Sequence, residues 1–197
     1  MSNNFKLTHN PGLPKIINNY KLDEKNFEIL GNVYYSATNT YIKEKVLMRI
    51  IEKEQLNKSL EKIAQIRNEI LITKFVNHKN ILRLYEIIES KYYIFLVYEY
   101  FNGEPLTNFI QKKQKLQEKE ILVILHKLLV ALLYLHESMK ICHLTLNLDS
   151  ILIDNNLNIK LINFRNSCFY QEKLNSVVNL NDIFYFAAPE VHAKLEY

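Results

Sequence analysis

A chain of 197 residues with 48% hydrophobic residues, three glycines and four prolines is long enough for one domain or two small lobes, which excludes a low-complexity or linker-like polypeptide. Its net charge of +4 comes almost wholly from lysine, with four arginines and no clustered basic stripe, so nucleic acid is not expected as a partner. Cys142 and Cys168 show neither CxxC spacing nor a disulfide framework, which points to a reducing, intracellular setting and no zinc site.

Residues 1–19 read as a flexible leader, rich in Asn and Pro and without the apolar core of a signal peptide. Residues 27–51 carry the runs Val33-Tyr34-Tyr35 and Val46-Leu47-Met48 on either side of a polar stretch, predicting strands joined by a hairpin. In 54–76, Leu56, Leu60, Ile63, Ile66, Ile70 and Phe75 recur at three- and four-residue intervals, which predicts one long helix with one buried face. Strand-like runs return at 81–84 and 92–100 around a turn at 89–91, and 102–105 breaks the pattern at an expected lobe boundary. A helix over 118–138 is predicted to bury a stripe of Ile121, Leu125, Leu128, Leu129, Leu132 and Leu135, followed by short strands about the turn Asp154-Asn155-Asn156. The most apolar stretch, 121–136, is interrupted by His126 and Lys127 and is too short to span a bilayer, so no membrane anchor is expected.

The runs NHKNILRLYEIIESKYYIFLVYEYFNGEPL and ALLYLHESMKICHLTLNLDSILIDNNLNIKLINF resemble the hinge region and catalytic loop of Ser/Thr protein kinases of the calcium/calmodulin-dependent and AMP-activated type. The likeness covers residues 20–197 in the family's order and closes on Ala188-Pro189-Glu190. It implies an α+β fold of two lobes: an N-lobe over 20–101, with a small antiparallel sheet and one long helix, and a partial, mainly helical C-lobe over 102–197.

The same resemblance assigns a nucleotide pocket of Gly31, Val33, Leu47, Arg49, Glu69, Tyr98, Glu99 and Leu152. Its chemistry is degraded. Asn26 and Glu28 stand where the first two glycines of the phosphate loop belong, and Glu28 would oppose a triphosphate. Arg49 replaces the phosphate-pairing Lys, Leu47 replaces the small residue over the adenine, and Tyr98 is the gatekeeper. Glu69 keeps the ion-pair position, so a bidentate Arg49–Glu69 strut is expected.

His143-Leu144-Thr145 puts a hydroxyl at the general base, a loss that typically removes about 10²- to 10⁴-fold of rate. Ser150 and Asn163, the latter in Asn163-Phe164-Arg165, leave the metal position without a carboxylate, so neither Mg²⁺ nor ATP is expected as a cofactor. Leu144 and Asn179 remove the grip on a phosphorylated activation loop, whereas Leu84, His143 and Phe164 match the regulatory spine with Thr73 at its fourth place. Lys43 or Lys45 is a possible substitute for the lost Lys, and Asp149, Asp154 and Asp182 are the only nearby carboxylates.

These replacements imply a pseudokinase that binds a protein partner, such as an active kinase or its regulator, in the cytoplasm. The alternatives are weak, unorthodox phosphotransfer and a non-functional truncated fragment. The family's central large-lobe helix would follow Glu190, and without it the stripe Leu125, Leu128, Leu132 and Leu135 is expected to face solvent, leaving the second lobe poorly folded, aggregating or docked on a partner.

Overall fold

A computed structural model describes residues 13–29 and 31–170; the leader before residue 13, Asn179, Asp182 and Ala188-Pro189-Glu190 lie outside them. Six antiparallel strands open the fold: β1 (Ile16–Ile17), β2 (Tyr20–Ile29), β3 (Asn32–Asn39), β4 (Lys45–Glu52), β5 (Leu84–Glu89) and β6 (Tyr93–Glu99). Their order is β1-β2-β3-β4-β6-β5. Strand β4 lies inside the sheet and alternates between two cores, as the two-residue period of a strand requires. Val46 and Met48 join Ala37, Phe95 and Val97 on one face, while Leu47 joins Tyr34, Leu96 and Tyr98 on the other.

The expected long helix is two helices, α1 (Lys53–Leu56) and α2 (Leu60–Thr73). Ser59 breaks the run because its side chain accepts the Lys62 N–H at 3.3 Å, an N-cap that starts a new helix. Its buried face is also different from the expected apolar one. Leu60 and Phe75 are exposed, and Gln65, Glu69 and Thr73 are buried beside Ile66 and Ile72. The apolar repeat was a partial guide: Ile66 is buried and Ile70 packs on the core beneath the sheet, but the same face also meets polar groups that no apolar repeat marks.

The second lobe contains β7 (Glu104–Pro105), α3 (Leu106–Lys113), α4 (Glu118–Leu133), a π turn at Tyr134–Met139, β8 (Ile141–Cys142), a 3-10 turn at Leu148–Ser150, β9 (Ile151–Ile153), β10 (Ile159–Leu161) and β11 (Cys168–Phe169). Strands β10-β9-β7 form one small antiparallel sheet and β11-β8 another. The expected break at 102–105 thus contains a strand, and Gly103 within it is required by close approach. A Cβ there would stand 2.6 Å from the Ile153 carbonyl oxygen and 2.4 Å from the Phe101 ring.

One core cluster spans both lobes, joining Ile72, Val76 and Ile81 to Ala131, Leu135, Ile141, Ile153 and Phe164. Glu99 adds a polar strap: its Oε1 accepts from Lys160 Nζ at 2.6 Å and from the Arg83 N–H at 2.8 Å.

The outward face of α4 differs from the expected stripe. Leu135 is fully buried, and Leu128 and Leu132 pack against the same cluster; Ile121, Leu122, Val123, Leu125, Leu129 and Leu133 are its exposed large apolar side chains. The π turn continues α4 into a 22-residue helix, Glu118–Met139, which by length and composition suffices to cross a membrane. The expectation of too short a segment fails on length. Lys127, midway along it, bonds the Leu157 carbonyl at 2.7 Å and Asn158 Oδ1 at 3.0 Å, tying the helix to the loop before β10.

Candidate functional site

The site lies where the inner face of the six-stranded sheet meets α2 and the loop after β10. Arg49, on β4, donates from Nη1 to both carboxylate oxygens of Glu69, at 2.9 and 2.8 Å, and both residues are no more than 3% exposed. The ion pair is therefore present, but it is not the two-pronged fork expected of Arg. One nitrogen serves both oxygens, and Nε is buried with no hydrogen-bond partner among the described residues. Burial alone would lower the Arg49 pKa; the Glu69 carboxylate, then Tyr34 and Tyr98, outweigh it and hold the guanidinium pKa above its ordinary value.

Two tyrosines close over the pair. Tyr98 lies opposite Leu47 in the β4–β6 register and donates to Glu69 Oε1 at 3.4 Å. Tyr34 lies opposite Arg49 in the β3–β4 register and stacks on Phe27 with ring centroids 4.7 Å apart. Burial raises the phenol pKa of both.

The β3 register corrects the expected pocket. Val33 pairs with Glu28, and Tyr34 with Phe27, so the alternating pleat turns Val33 and Glu28 away from Arg49. Glu28 instead pairs with Lys25 at 2.7 Å in the open. Asn26 falls in a β-bulge, with its amide 3.3 Å from Ser36 Oγ, and Gly31 is an exposed turn residue at φ 73°. Where the glycine loop is expected, β2 and β3 stay paired as far as Ile29 and Asn32 and carry a stacked aromatic pair.

Among the described residues, a cavity bounded by Ile29, Tyr34, Arg49, Glu69, Asn163 and Arg165 holds about 10 Å³, room for roughly one water. Leu152 is fully buried, in the same core cluster as Leu47 and Tyr98. Arg165, noted in the sequence only as the last residue of its motif, fills the floor and donates from Nε to Asn163 Oδ1 at 2.8 Å.

The catalytic-loop positions bond to one another. Thr145 Oγ1 donates to the Asn163 carbonyl at 3.1 Å. Ser150 Oγ donates to the Asn147 carbonyl at 2.7 Å and accepts its N–H at 2.9 Å, while Asn147 Oδ1 accepts the Ser150 N–H at 2.8 Å, a reciprocal capping box on the 3-10 turn. Thr145, Ser150 and Asn163 thus hold backbone and neighbours, and none presents a carboxylate to a metal ion.

Neither lysine substitutes for Arg49. Lys43 bonds the Thr40 carbonyl in the hairpin turn, and Lys45 Nζ sits 5.5 Å above the Tyr100 ring. Asp149 accepts from Thr107 Oγ1 at 2.5 Å, and Asp154 accepts the N–H groups of Asn156 and Asn158. Leu144 and Asn163 both have left-handed backbone, at φ 60° and 70°, a conformation that Asn tolerates and Leu resists.

A protein kinase domain profile matches residues 30–197. The chain belongs to the protein kinase domain family. It is 37% identical to CBL-interacting protein kinase 31 of Oryza sativa subsp. japonica over 128 residues, 65% of this chain and 28% of that protein. It is 32% identical to NUAK family SNF1-like kinase 1 of Mus musculus over 149 residues, 74% of this chain and 22% of that protein. The chain thus spans about a quarter of the length of these relatives.

Within this kinase fold, His143 and Phe164 retain their packing, edge to face at 4.8 Å, with His143 Nε2 bonded to the Ile162 carbonyl at 2.9 Å. Thr73 and Phe164 line one small cavity with Tyr98, and Thr73 Oγ1 donates to the Glu69 carbonyl at 2.7 Å. The segment after Phe164 is fastened to α2 through side chains that periodicity alone did not single out. Asn68 Nδ2 donates to the Arg165 and Ser167 carbonyls at 3.1 and 2.5 Å, and Gln65 Nε2 to Asn166 Oδ1 at 3.2 Å.

His143 makes this packing sensitive to acid. Burial lowers its pKa to about 4 from 6.5, with the Ile162 bond opposing, because protonating the buried Nδ1 would create an unpartnered charge. The unfolded chain takes up that proton below pH 6.5 and the folded chain only near pH 4. The His143 contribution is therefore complete above pH 6.5 and shrinks as pH falls through that window, by about 3 kcal/mol in all. Urea unfolding at stepped pH is expected to show a shallower acid slope for His143→Gln than for the parent; equal slopes would place the sensitivity elsewhere.

Proposed function

We propose that this domain is a pseudokinase: it keeps the kinase architecture, does not transfer phosphate, and serves as a protein-binding or allosteric scaffold for another protein, such as an active kinase or its regulator. The observation behind this reading is that the side chains at the base and metal positions are hydrogen-bonded into the fold. Thr145 is held on the Asn163 carbonyl, Asn163 on Arg165, and Ser150 on Asn147. A hydroxyl so placed is no base near neutral pH, and Mg²⁺ favours hard, anionic oxygen ligands in octahedral array. With Tyr34 over the pocket, neither ATP nor Mg²⁺ is assigned as a cofactor, and a cytoplasmic setting accords with the reading.

A second reading, weak phosphotransfer, is favoured by the Arg49–Glu69 pair, which keeps α2 joined to the sheet. Incubating the full chain with γ-labelled ATP, a generic protein acceptor and Mg²⁺ or Mn²⁺ separates the two. Scaffolding predicts no label above a heat-denatured control. Metal-dependent labelling that Arg49→Met abolishes would establish the second reading instead.

A further inference from the structure

We propose that Cys142 and Cys168 are a reversible disulfide site that staples the segment after Phe164 to the catalytic loop. The sequence spacing showed no framework because the two residues meet only through the fold. Strands β8 and β11 pair Cys142 directly with Cys168, and Ile141 with Phe169. Opposed residues in an antiparallel pair stand about 4.5–5.5 Å apart at Cα, within the roughly 4.4–6.8 Å that a disulfide spans. Both residues are thiols and only partly buried.

The register is held on both sides, by Ser167 Oγ donating to the His143 carbonyl at 2.9 Å and by the Tyr170 N–H donating to the Lys140 carbonyl at 2.9 Å. Bridging therefore needs no shift of strand register. This site does not depend on whether the domain transfers phosphate.

The oxidant is a low-molecular-weight disulfide such as oxidised glutathione. One cysteine thiolate attacks it, forming a mixed disulfide and expelling a glutathione thiolate. The second cysteine thiolate attacks the protein sulfur of that mixed disulfide and expels the second glutathione. Two protein thiols lose two protons and two electrons, and one glutathione disulfide becomes two glutathione thiols. Burial holds the Cys142 thiol above its ordinary pKa, with the Cys168 hydrogen bond opposing, so exchange quickens as pH rises. The closed loop contains Thr145, Ser150, Asn163 and Phe164, and closing it fixes the segment that Gln65 and Asn68 hold against α2.

The test treats the full chain with oxidised glutathione, alkylates remaining thiols and maps peptides without reduction. The expected product is a monomer that has lost two hydrogens, carries the Cys142–Cys168 cross-link and bears no glutathione. It should form at least about tenfold faster in buffer than in concentrated urea, because the fold holds the partners together. Cys142→Ser and Cys168→Ser should each stop at a single glutathione adduct. Two adducts on the parent, complete alkylation of both cysteines, a disulfide-linked dimer, or an equal rate in urea would each overturn the proposal. If the serine variants do not fold, the parent's peptide map and urea comparison still decide it.

Discussion

Replacing Glu69 with alanine is expected to destabilise the domain by about 3–5 kcal/mol, lowering the thermal midpoint by roughly 10 °C. The size follows from burial rather than from the attraction itself. Arg49 and Glu69 are 3% and 2% exposed, so removing the carboxylate leaves a guanidinium in the core with no anionic partner among the described residues. An exposed pair would give at most about 1 kcal/mol. The double variant Arg49→Met with Glu69→Leu should therefore be more stable than Glu69→Ala alone, since it removes both charges and keeps the volume. Thermal or urea melts of the three proteins check this, and a Glu69→Ala midpoint equal to the parent's would show that the pair is not buried.

Truncating Tyr34 to alanine is expected to cost about 3 kcal/mol, near the lower end for a buried aromatic, whereas Val33→Ala should cost under about 1 kcal/mol. The contrast tests the register of β3. Tyr34 is 3% exposed between Phe27 and Tyr98, and Val33 lies on the opposite face across from Glu28. A shift of one residue would exchange the two faces and reverse the order. Urea unfolding of the two variants side by side measures it.

That register also marks what the sequence could and could not reveal. The hairpin between β3 and β4, the strands around Asp154 and the kinase order of motifs were all readable, because alternation, turn residues and motif spacing are local signals. The pocket face of β3 was not. The resemblance assigns Val33 to the pocket, and only pairing with β2 and β4 shows that Tyr34 faces Arg49 there. The helix α2 was legible only in part: Ile66 is buried as its helical spacing suggests, but Gln65, Glu69 and Thr73 share that face because it also meets Arg49 and Asn166. The roles of Arg165 and Asn147 were not legible, since a side chain that lines a cavity or completes a capping box has no periodic signature. The losses at Thr145, Ser150 and Asn163 were legible as residue types; that their polar atoms bond to neighbouring residues needed coordinates.

The most direct test of the central claim is titration of the full chain with ATP, with and without Mg²⁺, followed by its thermal midpoint and by calorimetry. A pocket filled by Tyr34 and Arg165, over positions that supply no carboxylate, predicts no metal-dependent heat and no change in midpoint at millimolar nucleotide. A site that bound Mg²⁺ and ATP with the nucleotide at about 100 times Kd would instead stabilise the fold by roughly 2.7 kcal/mol, a shift of several degrees. A shift of that size that vanishes when the metal is chelated would contradict the account.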